Sequence, residues 1–147
     1  MADFVGTWRT KRIVGASQGG LTGEDPKVIV GKVVRWTATD IEFPDGACRL
    51  RQPAVTLLPN RVLETRLWLG QQLNNLSLSK AEIARGFGVE DTPVFQDESG
   101  CASAVLIGRN HMVEMFGNGW IYWLERVPSY PQGIRHTFAG CARCARR

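Results

Sequence analysis

Histidine is nearly missing from this chain: His111 and His136 are the only two in 147 residues. His111 falls in a turn between two apolar runs and His136 in the C-terminal tail, so the pattern offers no Ser–His–acid triad. The G-x-S-x-G spacing at Gly15-Ala16-Ser17-Gln18-Gly19 lies in a Gly-rich loop and not in a strand-to-helix elbow, and the chain carries no phosphate-cradling loop or G-x-G-x-x-G turn. Serine hydrolysis and nucleotide chemistry therefore have no anchor, and no catalytic residue is assigned. Missing too is any uninterrupted apolar run near the roughly 20 residues that a spanning helix needs, so no membrane span is expected.

Other absences bear on metals, cofactors and compartment. Cys141 and Cys144 make one C-x-x-C spacing with His136 upstream, but a second C-x-x-C is lacking. A tail disulfide or free thiols fit this better than a zinc site, and neither metal nor cofactor is expected. The adjacent acids Glu90-Asp91 and Asp97-Glu98 sit in polar turns, where solvation is the simple reading. Met1-Ala2-Asp3-Phe4 leads almost at once into patterned sequence, with no leader. That leaves a cytoplasmic protein or an exported one whose leader was replaced by a starting Met. Cys48 and Cys101, each beside a turn signal at the mouth of an apolar run, favour export to the periplasm or beyond, because a bond between them would tie distant strands. Two buried thiols are the alternative.

What the chain does have is the composition of an ordered domain: 44% hydrophobic and 22% charged residues, with 16 Gly and 7 Pro for turns. Its size suits one domain over residues 1–130, followed by a basic tail at 131–147. The net charge of +4 is modest. Arg135, Arg143, Arg146 and Arg147 concentrate it near the end, where a solvated terminus or a contact with phosphates or anionic lipid would fit.

Period-two patterning dominates. Trp8 to Val14 reads as a strand before a Gly-rich loop at 15–23, and Lys27 to Val34 continues through Trp36 and Ile41-Glu42-Phe43 as two strands or one bent strand. Runs at Ala54 to Leu58 and Arg61 to Leu69 follow. Ser79-Lys80-Ala81-Glu82 is a capping box for one short helix that Gly86 ends. Three further strands, Ala102 to Gly108, Met112 to Phe116 and Trp120 to Val127, are joined by tight turns at Arg109-Asn110-His111 and Gly117-Asn118-Gly119. Both faces of the last strand are apolar, which predicts cover on both sides. The expected fold is all-β with one short helix: a single antiparallel up-and-down barrel, since closure removes exposed edges.

Gly6-Thr7-Trp8 on the first strand resembles the G-x-W signature of the lipocalins and the wider calycin superfamily. The resemblance implies that Trp8 plugs one end of the barrel and that Arg126, ending the last strand, packs across it. Gly6, Trp8 and Arg126 would then be structural closure residues. The layout also looks like small secreted bacterial domains of unassigned function that end in an aromatic-Leu-Glu-Arg strand.

Trp36, Trp68, Phe116, Trp120, Tyr122 and Trp123 are the residues that could line a cavity, or could instead fill the core. They are not interleaved with Lys or Arg apart from Arg35 beside Trp36, so nucleic acid is not an expected partner. The expectation is a non-enzymatic protein holding a small apolar or amphipathic ligand. Its rival is an exported inhibitor or immunity-type protein that grips another protein through loops at 15–26 and 88–100.

Overall fold

The computed structural model describes residues 1–16, 23, 25–58, 92–117 and 119–129. Within them lie nine strands: β1 (Gly6–Ala16), β2 (Val33–Trp36), β3 (Asp40–Phe43), β4 (Gly46–Arg49), β5 (Ala54–Leu58), β6 (Thr92–Gln96), β7 (Ala102–Ile107), β8 (His111–Phe116) and β9 (Trp120–Arg126). All belong to one sheet in the order β4-β3-β2-β1-β9-β8-β7-β6-β5, and every pairing is antiparallel. The first and last strands are neighbours at its middle. Its two free edges, β4 and β5, follow one another in the chain.

The sheet is not flat. Trp36 on β2 and Phe95 on β6 are five strands apart in sheet order, which in a flat sheet would separate them by about 24 Å. Their ring centroids are 4.7 Å apart. Phe43 on β3 likewise meets Phe116 on β8 at 5.1 Å. Such contacts require the sheet to curl into a half-barrel, with one concave face enclosing Phe4, Trp8, Val34, Trp36, Ile41 and Phe95. Two breaks of register in β1, between Thr10 and Arg12 and between Ile13 and Gly15, supply bulges of the kind that bend a strand.

The last three strands carry buried residues on both faces. Tyr122 and Leu124 face the concave core, while Ile121 and Trp123, of opposite parity, are buried on the other side. Alternation explains the arrangement, because successive side chains leave a strand on opposite faces. The apolar sequence of β9 on both parities follows from this two-sided burial.

Besides β4 and the Gly15-Ala16 end of β1, which was expected in the Gly-rich loop, two stretches depart from the sequence-based expectation. Lys27 to Val30 is not strand: Pro26–Val28 form a single 3-10 turn, and only Val33–Trp36 is extended. Pro26 has no N–H to give a ladder, Asp25 accepts from the Lys27 N–H at 3.0 Å, and Gly31 turns the chain with φ +84°. β-branched content alone does not overcome those three local signals. In the other direction, residues 92–96 were expected within a loop and form β6. Pro93 sits just outside the pairing with β7, which involves only Val94 and Phe95, so it interrupts nothing there.

The expected strand at Arg61 to Leu69, the helix at 79–86 and the tail at 131–147 lie outside the described residues. Among the described residues no helix is long and apolar enough to cross a membrane.

Candidate functional site

The N-terminal end of β1 is a fully satisfied polar cap. Trp8 is completely buried, and its indole N–H donates to the Phe4 carbonyl at 2.9 Å. The Arg126 guanidinium lies 4.1 Å from the Trp8 ring centroid, within the range of a cation–π contact. Its N–H groups donate to three backbone carbonyls: Nε to Arg109 at 2.9 Å, Nη1 to Val5 at 3.0 Å and Nη2 to Asp3. Burial against the indole pulls Arg126 below its usual pKa, and the charge of Asp3 pulls it back.

Gly6 shows why a glycine stands two residues before the indole. A Cβ there would come within 2.6 Å of Arg126 Nη1, and the backbone has φ +147°, where L side chains are rare. Because Arg126 is pinned by three carbonyls, it cannot move aside cheaply.

The half-barrel is clipped along its open side. Cys48 on β4 is disulfide-bonded to Cys101 just before β7, with Cα atoms 5.9 Å apart and a sequence separation of 53. Beside the bond, the Arg51 N–H donates to Asp97 Oδ1 at 3.0 Å and the Glu98 N–H to the Arg51 carbonyl at 2.9 Å. Burial pushes Asp97 up, but hydrogen bonds from Arg51, from the Ser99 hydroxyl and N–H, and from Cys101 outweigh it and hold the carboxyl below its ordinary value. Covalent and hydrogen-bonded links thus tie the β4 edge to the turn before β7, where no ladder joins them among the described residues.

Between cap and clip, the concave face holds an acid. Glu114 shares parity with Met112 and Phe116 on β8, and its cross-strand neighbours are Ala104 and Tyr122, all four in the core. It is completely buried, and neither carboxyl oxygen has a hydrogen-bond partner. Burial drives its pKa well above the ordinary value, opposed by the nearby indole N–H of Trp36. That N–H lies close enough to favour the anion yet outside hydrogen-bonding geometry, so it too is unpaired. Thr10, on the same concave face, is a third side chain with a buried polar atom, Oγ1, that has no partner. A buried carboxyl, an indole donor and a hydroxyl can each make hydrogen bonds that the described chain does not provide.

The residues singled out from the sequence divide. Trp36, Phe116 and Tyr122 lie in the concave core with Trp120 packed against it, and the Phe116 and Tyr122 rings meet at a tilt, 5.3 Å apart. The Tyr122 hydroxyl donates to the Pro26 carbonyl at 3.2 Å. Trp123 is on the opposite face, between Arg12 at 5.6 Å and His111 at 5.1 Å, and lines no common wall with Tyr122. Trp68, Cys141, Cys144 and His136 lie outside the described residues. Glu114 was missed. The signal for it was one acid at an inward parity within Met112-Val113-Glu114-Met115-Phe116, legible only once the concave face is known.

No protein-family model, curated protein or solved structure matches the chain.

Proposed function

We propose that this chain is a calycin-like binding protein that holds a small apolar or amphipathic ligand in the concave interior of its sheet, closed to a barrel between β4 and β5. One observation carries the reading: the concave face is apolar and aromatic yet contains polar atoms that nothing in the described chain satisfies. Sites for small molecules have this make-up, mostly hydrophobic lining with a few placed polar groups. The Gly6-Thr7-Trp8 segment and Arg126, stacked at one end, support the calycin likeness by supplying a closed floor. The Cys48–Cys101 bond supports placement in an oxidising compartment, periplasmic or extracellular.

Binding to another protein through loops has less support, because part of the segment at 88–100 is β6, held inside the sheet. An environment-sensitive apolar dye tests the proposal. Saturable one-to-one binding with quenching of tryptophan fluorescence is expected. If the dye stays unbound at micromolar concentration while the protein is folded, the interior is a solid core and the reading fails.

A further inference from the structure

We infer that Glu114 and Trp36 form the polar end of the binding site and receive an uncharged ligand head that both donates and accepts hydrogen bonds, a primary carboxamide being the simplest. This deepens the ligand-binding reading and rests on it.

The argument begins from what surrounds the carboxyl. Its cross-strand neighbours are a methyl and a phenol ring, Ala104 and Tyr122, and the Tyr122 hydroxyl is engaged with the Pro26 carbonyl. No described Lys, Arg or His is paired with Glu114. Arg126, which stacks on Trp8 of the core, spends its donors on the carbonyls of Asp3, Val5 and Arg109. An anion at Glu114 would therefore be buried without a described counter-charge, which is strongly unfavourable even after relaxation. The carboxyl is held instead as a neutral acid, as its raised pKa also indicates.

A neutral carboxylic acid offers one O–H donor and a carbonyl acceptor. The Trp36 indole beside it adds a second donor and cannot accept. Together the two side chains present two donors and one acceptor, with nothing in the described chain to meet them. A carboxamide returns the complement: its oxygen accepts from the acid and the indole, and its N–H donates to the acid carbonyl. A cationic head would first have to ionise Glu114 and then be stripped of water itself. An ester or ether head accepts only, and would leave the acid carbonyl unmet.

The experiment uses the oxidised full-length protein and titration calorimetry with linear alkanamides from butanamide to octanamide, matched alkylamines and matched methyl esters. The amide is expected to bind at least about tenfold more tightly than the amine and the ester of equal length, the ratio that one well-made hydrogen bond supplies. Glu114→Gln keeps a donor and an acceptor and is expected to hold the amide within about threefold, whereas Glu114→Leu loses about tenfold or more. The Trp36 indole N–H resonance should move on adding the amide and not on adding the ester.

Tighter binding of the amine, abolished in Glu114→Gln, would show a charged head and overturn the inference. Amide affinity unchanged in Glu114→Leu would do the same, leaving the orphaned atoms to internal water. In both cases the ligand-binding reading survives if the apolar dye still binds. Failure of the dye and of every probe would remove that reading and the inference with it.

Discussion

The perimeter of this half-barrel and its interior treat buried polar groups in opposite ways. Around Trp8 and Arg126 the indole N–H and three guanidinium nitrogens find carbonyls, and at the clip Asp97 accepts from Arg51 and Ser99. At Glu114, deeper and wholly buried, both carboxyl oxygens are unmet. The cap is satisfied in full and the clip in all but Asp97 Oδ2, whereas the interior is left open. Orphaned groups are therefore not a general looseness of the fold. Among the described residues they gather on the concave face, at Glu114, Trp36 and Thr10, with Asp97 Oδ2 at the clip a further one.

Breaking the perimeter should cost most. Trp8→Ala is expected to destabilise by about 3–5 kcal/mol, read from chemical denaturation; a loss under about 1 kcal/mol would show that the indole does not plug the end. Replacing Cys48 and Cys101 together by Ser should cost about 2–4 kcal/mol, because the bond closes a long loop in the unfolded chain. An unchanged denaturation midpoint after reduction would mean the open side needs no clip. Gly6→Ala should cost about 1–3 kcal/mol through its φ and the crowding of Arg126, and a neutral result would separate the glycine from the guanidinium.

Sharpening the contrast needs pH. Glu114 has a raised pKa when folded, so the unfolded state releases its proton first. Its contribution to stability is complete below the unfolded value and is lost as pH rises toward the folded one. Wild type should fall behind Glu114→Gln over that interval, by at most about 1.4 kcal/mol per pH unit. Parallel stability curves for the two proteins would place Glu114 in contact with water or a partner. Asp97 has the opposite sign: its pKa is lowered, so its contribution is present above the unfolded value and lost on acidification. Asp97→Asn should flatten that acid limb by only about 0.5 kcal/mol, because the group is partly exposed and screened.

Much of the architecture was legible in the residues. The tight turns bounding β7, β8 and β9 are local chemistry, and the two-sided apolar pattern of β9 announces its central place. The short strand β4 was not legible, since Gly46-Ala47-Cys48-Arg49 has little β character and is held by its hairpin with β3. The same holds for β6, where Pro93 reads as a breaker until its position outside the β7 ladder is known. Glu114 was hidden for a different reason. Parity shows which residues share a face, but whether a lone acid on that face meets a partner depends on strands far away in the chain, β2 among them.

The sheet's order has a kinetic consequence. Since β1 pairs with β9, the contact at the centre of the molecule links residues 8 and 126. Closing so long a stretch before any reward makes assembly slow relative to helical chains of similar length. A ribosome-bound fragment that stops short of β9 would leave β1 unpaired along one side, an aggregation-prone edge. The nascent polypeptide can finish its sheet only after β9 has cleared the exit tunnel.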